Sequence, residues 1–165
     1  MQPPAPIRAH EDQVIAAWID RNGHLNLAYY LVIFDRATDA VFDLLGIGAA
    51  YTEASGHSLF VVETHTLYER ELAQGARVRV ESRVLGADAK RLHLAHAMRR
   101  AEDDARAALL EAVVLHVDLA TRRAVPFPPA QAATLAEMAQ AHAVLPPWPG
   151  IGRAIAMGGG NMTKR

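Results

Sequence analysis

Residues 18–46, with the sequence WIDRNGHLNLAYYLVIFDRATDAVFDLLG, decide the fold. From Leu27 onward, apolar residues recur at the i, i+3, i+4, i+7 spacing that is typical of a helix. The stripe comprises Leu27, Tyr30, Leu31, Phe34, Ala37, Thr38, Val41 and Leu45, and it is widened by Ile33, Ala40 and Leu44. Asn26 is a favourable N-cap and Gly46 suits the left-handed position after a helix. Because most sides are apolar, we expect a buried helix wrapped by a sheet.

A polar loop leads directly into this helix. It carries Asp20, Asn22, His24 and Asn26 within seven residues. The first amides of a helix lack intrahelical partners and the helix dipole makes that end partly positive, so the end can bind an anion or stabilise an oxyanion. Each residue alone is well explained as a turn, capping or loop residue. The four together indicate a functional site.

Length and composition restrict the class of protein. The 165 residues suit one domain, which we place at residues 8–155 with tails at 1–7 and 156–165. With 51% hydrophobic and 21% charged residues the chain is expected to fold, and a net charge of −1 does not favour nucleic acid. The absence of cysteine excludes disulfides and thiolate chemistry. No apolar stretch approaches ~20 residues, so we expect a soluble cytoplasmic protein without membrane contact.

The rest of the chain predicts an α+β fold. Residues 14–19 are expected to form a strand and residues 46–56 a connector, and residues 129–144 are expected to form a C-terminal helix with proline near its start. Alternating apolar and polar residues predict antiparallel strands joined by hairpin-length turns. These strands are at 59–68, 77–85, 91–99 and 107–119.

The strand at 59–68 carries a second group of polar residues. Strict alternation places Glu63 and His65 on one face with Leu59, Val61 and Leu67. A buried unpaired carboxylate is costly, so this pair either forms a structural contact or faces a ligand pocket, with neither alternative favoured. Asp35 and Asp39, one helical turn apart, are best explained as a solvated stripe.

A metal site is not expected. His93 and His96 are three residues apart in a predicted strand, which places them on opposite faces.

Four segments resemble the hotdog-fold acyl-CoA thioesterases of the 4-hydroxybenzoyl-CoA thioesterase-like superfamily, in the betainyl-CoA thioesterase-like branch. They are WIDRNGHLNLAYYLVIFDRATDA at 18–40, SLFVVETHTLYERELAQGARVRVESRVLGADAKRLHLAHAM at 58–98, VVLHVDLATRRAVPF at 113–127 and GRAI at 152–155. The D-x-x-G-H-x-N motif before a helix is the most specific part. The resemblance covers about residues 12–155 and implies a hotdog fold, an acyl-CoA substrate without a further cofactor, and a homodimer or dimer of dimers whose sheets join edge to edge.

The same resemblance suggests roles for the residues of the loop. Asp20 occupies the position of the family's nucleophile or general base, and the amides near residues 27–29 are where the family polarises the thioester carbonyl. Asp20, Asn22, His24 and Asn26 are also similar to the D-x-N-x-H-x-N string of acyl-ACP thioesterases, where asparagine and histidine act with the aspartate. We therefore expect catalytic roles for Asp20, His24 and Asn22, and oxyanion or positioning roles for Gly23, Asn26, Leu27 and Ala28.

The second carboxylate of the acyl-ACP family has no match here, because Leu67 and Tyr68 occupy its region. The choice between a nucleophilic and a general-base role for Asp20 therefore stays open.

A betainyl-CoA substrate would bring a trimethylammonium group. Glu63, with His65 beside it, is then predicted to form a cation site together with Trp18, Tyr30 or Tyr68. Core packing explains each aromatic equally well when it is taken alone.

Two other functions fit a hotdog fold. An enoyl-CoA hydratase of this fold has its aspartate and histidine five apart, whereas Asp20 and His24 are four apart, and the N-P-x-H string of that family does not occur. A non-catalytic acyl-CoA-binding or regulatory protein is expected to carry a DNA-binding module, for which this chain has neither the length nor the basic charge.

Overall fold

The computed structural model describes residues 5–156 and shows an antiparallel sheet packed on a long helix. The strands follow the order β1-β3-β4-β5-β2, with β6 paired to β5. The α+β hotdog fold with a C-terminal helix is therefore confirmed. In chain order the elements are β1 (Ile7–Gln13), a 3₁₀ turn (Ala16–Trp18), α1 (Leu27–Leu44), α2 (Ala49–Ser55), β2 (His57–Tyr68), β3 (Arg77–Ala87), β4 (Arg91–Arg100), β5 (Arg106–Asp118), β6 (Arg123–Ala124) and α3 (Pro129–Ala143).

Most of both predicted tails lies outside the described residues. Within residues 5–156, no helix is both long and apolar enough to cross a membrane.

Helix α1 has the predicted caps. The Asn26 side chain accepts a hydrogen bond from the Ala28 amide at 3.0 Å, and Gly46 has a φ of 69°. The helix buries one face against the sheet, through Tyr30, Ile33, Phe34, Ala37, Thr38, Val41 and Phe42. Its other side is not covered, since Leu27 is 62% exposed and Leu31 is 38% exposed. The prediction that the helix is buried on nearly every side is wrong for the single chain.

Two connecting segments differ from their predictions. The first strand is Ile7–Gln13, at the edge beside β3, and residues 14–19 instead contain the 3₁₀ turn. The sequence IRAHEDQ has polar residues at both alternating positions, because an edge strand needs little apolar surface. The connector at 46–56 contains α2, whose first amide, that of Ala49, donates to the Asp43 carboxylate at 3.1 Å.

A β-bulge in β2 reverses the expected faces of this strand. The pairing of β2 with β5 shifts between Val61 and Glu63, so one extra residue lies on β2. Before the bulge Leu59 packs on the helix side of the sheet, whereas after it Leu67 packs with Trp148 on the outer side. Since one added residue moves every later side chain to the other face, Glu63 and His65 lie on the outer face, away from α1. The prediction that they share the face of Leu59 is wrong.

His96 and His142 are among the buried histidines and are held in hydrogen-bonded, neutral form. His96 has its Nδ1 2.7 Å from the Ser82 hydroxyl and its Nε2 3.1 Å from the Thr38 hydroxyl. The Thr38 hydroxyl donates to the Phe34 carbonyl, so His96 Nε2 carries the proton and Nδ1 accepts from Ser82. Burial lowers the pKa of His96 to about 4. Burial also lowers the pKa of His142, whose Nδ1 accepts from the Val84 amide at 2.9 Å.

Because these histidines are buried in neutral form, we expect the free energy of unfolding to fall in mild acid. Between pH 6.5 and about 4 the unfolded chain protonates His96 while the folded chain does not, so stability is complete above pH 6.5 and falls as the pH drops. At ~1.4 kcal/mol per pH unit, His96 alone should lower the free energy of unfolding by roughly 2 kcal/mol between pH 7 and pH 5. Urea unfolding of the wild type and of His96→Gln at both pH values measures this. A variant with the same pH dependence as the wild type would contradict it.

Candidate active site

A tight turn places Asp20 and His24 opposite each other. The Asp20 amide donates to the His24 carbonyl at 2.9 Å, the Gly23 amide donates to the Asp20 carbonyl at 3.0 Å, and Ile19 pairs with Leu25 as an isolated bridge. Gly23 has a φ of 81°, a left-handed conformation that other residues rarely adopt. Glycine is therefore required here to close the turn.

Two backbone bonds hold the loop in place. The Leu25 amide donates to the Leu72 carbonyl at 2.8 Å, and the Asn26 amide donates to the Trp18 carbonyl at 2.9 Å. The loop thus lies between the 3₁₀ turn and the segment 69–72 that follows β2. It is built into the fold rather than free on the surface.

The loop's side chains surround a half-buried carboxylate. Asp20 Oδ1 accepts from the Asn22 amide at 2.7 Å, and Oδ2 lies 3.5 Å from the Asn22 side-chain nitrogen. His24 Nε2 is 3.4 Å from Glu71 Oε2. The structure therefore pairs Asn22 with the Asp20 carboxylate, which Asn22 orients, and links His24 to Asp20 through the backbone of the turn while the His24 side chain contacts Glu71.

The helix N-terminus offers one unused amide. The Ala28 amide is engaged by the Asn26 side chain, and the Gly23 amide is engaged by the turn. Within residues 5–156 the Leu27 amide makes no hydrogen bond, so it is the first-turn donor available to an oxyanion. Asn26 caps the helix and Gly23 closes the turn. The Ala28 amide could donate to an oxyanion only if it shared the hydrogen that it already donates to Asn26.

Trp18 is covered on both faces. Its ring stacks on Tyr29 at 5.4 Å between centroids, and the Arg36 guanidinium lies 5.3 Å from the ring centroid. Arg36 is held in turn by Asp12 at 2.7 Å. With 8% of its surface exposed, Trp18 has no free ring face for a ligand and anchors the loop instead.

Tyr30 and Tyr68 meet beside the loop. Their rings are perpendicular at 5.3 Å, and the Tyr30 hydroxyl donates to the Arg70 carbonyl at 3.0 Å. Burial, and then the charge of Glu71, raise the pKa of Tyr30 to about 12, so the phenol stays protonated. Tyr30 is buried and Tyr68 is 46% exposed.

Glu71 is the residue of this region that sequence reasoning missed. It is a charged residue in a loop without periodicity, and such a residue has no signal of its own in the sequence.

Glu63 and His65 line a different cavity, on the outer face of the sheet. This cavity of about 270 Å³ also contains His93 and Glu111. Glu111 binds His93 Nε2 at 2.7 Å and accepts from the Gly152 amide at 2.7 Å. The sheet separates Glu63 from Tyr30 and Tyr68, so the predicted cation site does not form within the chain. In the part of the chain that the structure describes, no cluster of three or more acidic, histidine or cysteine side chains could hold a metal ion.

Comparison with known proteins gives consistent matches. The family model of the thioesterase-like superfamily matches residues 14–135. The betainyl-CoA thioesterase of Pseudomonas aeruginosa is 40% identical over 92% of this chain and 95% of its own length. The L-carnitine dehydrogenase/betainyl-CoA thioesterase of Agrobacterium fabrum is 42% identical over 92% of this chain, which spans only 31% of that longer protein.

A solved structure matches nearly the whole chain. It is a hypothetical protein from Staphylococcus aureus in complex with CoA, with a TM-score of 0.85, 27% identity, and coverage of 96% of this chain and 100% of that one. Fold, loop and sequence agree, and this chain belongs to the thioesterase-like superfamily of thioester hydrolases.

Proposed function

We propose that the protein hydrolyses an acyl-CoA thioester to the free acid and CoA. The observation that carries the proposal is the tight turn that carries Asp20, oriented by Asn22, and His24 directly before the unused Leu27 amide at the start of α1. The 40% identical betainyl-CoA thioesterase and the similar structure with bound CoA support the choice of substrate. A cytoplasmic location is part of the proposal, because CoA thioesters are formed there.

The proposed reaction uses only groups of the chain and water. The thioester oxygen lies at the Leu27 amide, where the positive end of the helix stabilises developing negative charge. Asp20 either attacks the carbonyl carbon or removes a proton from an attacking water. The tetrahedral intermediate then collapses and expels the CoA thiolate, which His24 protonates. If Asp20 removes a proton from water, this collapse gives the free acid directly. If Asp20 attacks, collapse leaves an acyl anhydride on Asp20, which a water hydrolyses to the free acid, and in both routes the proton lost by water replaces the one that His24 gave. Asn22 keeps the carboxylate in position, and no cofactor is needed.

We further propose a short, polar acyl group such as betainyl. The relatives from Pseudomonas aeruginosa and Agrobacterium fabrum both carry betainyl-CoA thioesterase in their names.

A panel of acyl-CoA esters with a thiol-trapping reagent tests the proposal. Release of free CoA from betainyl-CoA or another ester supports hydrolysis. A product formed without free thiol from an enoyl-CoA would indicate a hydratase, and binding without turnover would indicate an acyl-CoA-binding protein.

We also propose that the active unit is a homodimer or a dimer of dimers. In the part of the chain that the structure describes, the twelve-residue strand β2 lies at the edge of the sheet and pairs with β5 alone. Val61 and Val62 on this strand are 48% and 55% exposed, and Leu27 and Leu31 of α1 are also uncovered. A long edge with exposed apolar side chains favours pairing with a second copy across a two-fold axis.

Charges on this edge should separate the subunits. We expect wild-type protein to have the mass of two or four 17.9 kDa chains by light scattering at micromolar concentration. The double variant Val61→Lys, Val62→Lys should shift the mass towards one chain, because two ammonium groups would meet their copies across the axis. Val144→Lys is the matched control, since Val144 is 70% exposed at the end of α3. A monomeric and active wild type would contradict the proposal.

A further inference from the structure

We infer that Glu71, together with the ring of Tyr68, selects substrates whose acyl group carries a positive charge. This inference rests on the proposed hydrolysis of acyl-CoA and concerns specificity at that same site.

Glu71 lies directly beside the proposed reaction centre. Its Oε2 is 3.4 Å from His24 Nε2, and the neighbouring Leu72 carbonyl accepts the Leu25 amide at 2.8 Å. The charge of Glu71 also acts on the Tyr30 phenol, whose ring meets Tyr68 edge to face. The carboxylate thus contacts His24, and the two aromatic rings lie next to its segment, because the Tyr30 hydroxyl donates to the carbonyl of Arg70, the residue before Glu71.

The carboxylate is not neutralised by a lysine or arginine. Among the ion pairs of residues 5–156, the contact of Glu71 is with His24. The adjacent Arg70 donates to the Arg106 carbonyl at 2.8 Å, and Arg106 is itself paired with Glu69. The Glu71 side chain is 76% exposed to solvent.

A quaternary ammonium group suits this environment. It has no N–H to donate, so it is recognised by negative charge and by aromatic rings, both of which are present here. In a betainyl ester the ammonium nitrogen is separated from the thioester carbonyl by a single methylene, so its recognition site must lie next to the reacting groups. Glu71 meets this condition through its contact with His24.

Two other carboxylates that could bind a cation do not meet the condition. Glu63 lies on the outer face of the sheet, and Asp39 lies three helical turns beyond Leu27, roughly 18 Å along α1 at 1.5 Å per residue.

The test compares two esters that differ in charge but hardly in shape. Betainyl-CoA has a trimethylammonium group where 3,3-dimethylbutyryl-CoA has a neutral tert-butyl group. The measured quantity is the ratio of kcat/KM for the two esters. If the loss of Glu71 changes the rate through its contact with His24, it changes kcat/KM for both esters equally, and this effect cancels in the ratio. We expect the wild type to prefer betainyl-CoA, and Glu71→Gln to lower the ratio roughly two- to fivefold, as the loss of an exposed charge interaction should.

Further variants separate the ring from the charge. Tyr68→Leu should lower the ratio, whereas Tyr68→Phe should preserve it because the aromatic ring remains. Glu137→Gln, an exposed carboxylate on α3, is the matched control and should leave the ratio unchanged.

An unchanged ratio in Glu71→Gln, with both esters hydrolysed, overturns the inference and leaves the proposed hydrolysis intact. A ratio that falls in Glu63→Gln but not in Glu71→Gln also overturns it. Failure of the wild type to release CoA from betainyl-CoA, with other esters of the panel hydrolysed, overturns the inference alone, whereas failure with every ester of the panel overturns the proposed function as well.

Discussion

Replacement of Asp20 by asparagine is expected to lower kcat roughly 100-fold or more, as the loss of a nucleophile or general base should. The substitution is nearly isosteric, and its amide oxygen can still accept the hydrogen bond that the Asn22 amide donates to Asp20 at 2.7 Å. The turn should therefore keep its shape while the carboxylate chemistry is lost. The measurement is steady-state CoA release from the best ester found in the panel.

Three comparisons show whether a lower kcat comes from the loss of the Asp20 carboxylate. Circular dichroism and light scattering should show an unchanged fold and mass. Glu102→Gln changes an exposed carboxylate in the hairpin after β4 and should retain wild-type turnover. His24→Ala should cost less than Asp20→Asn, and mainly in kcat. If Asp20→Asn turned over near the wild-type rate, the reaction would have to be placed elsewhere and Asp20 would be a turn residue.

Replacement of Phe34 by alanine is expected to lower the free energy of unfolding by about 3–5 kcal/mol, the usual cost of emptying a buried aromatic site. Phe34 is 1% exposed and packs between α1 and the sheet, with its ring 6.1 Å from that of His96. Since native domains are stable by only about 5–15 kcal/mol, the variant should be close to unfolding. Urea unfolding at fixed protein concentration measures the change, because dimer formation would make stability depend on concentration.

The same helix provides the control. Leu44→Ala removes a side chain that is 67% exposed and should change stability by less than about 0.5 kcal/mol. Phe34→Leu, which keeps part of the volume, should fall between the two. A loss below about 1 kcal/mol for Phe34→Ala would mean that α1 is not the centre of the core.

Local patterns predicted the two long helices and the four strands between them. Helix α1 begins after Asn26 and ends before Gly46 as expected, because capping and left-handed glycine depend on neighbouring residues only. Helix α3 was predicted at 129–144 and is found at Pro129–Ala143, with Leu135 and His142 buried. The D-x-x-G-H-x-N motif located the turn that brings Asp20 and His24 together, because the bonds that close this turn lie within residues 20–24.

Pairing between distant segments decided what the patterns did not. The bulge between Val61 and Glu63 exists because β2 and β5 differ by one residue in register, and alternation within β2 does not contain that information. It moved Glu63 and His65 to the outer face. Glu71 came beside His24 only because Leu72 binds Leu25 across 47 residues of chain.

The sequence by itself determined the central helix, its caps, the loop before it and the family to which they belong, because these depend on short-range periodicity and on local hydrogen bonds. Only the tertiary structure decided which carboxylate lies beside that loop and which face of α1 stays uncovered. The physical reason is that strand register and the contacts between separate segments are set by the packing of the whole sheet, in which a single added residue exchanges the two faces.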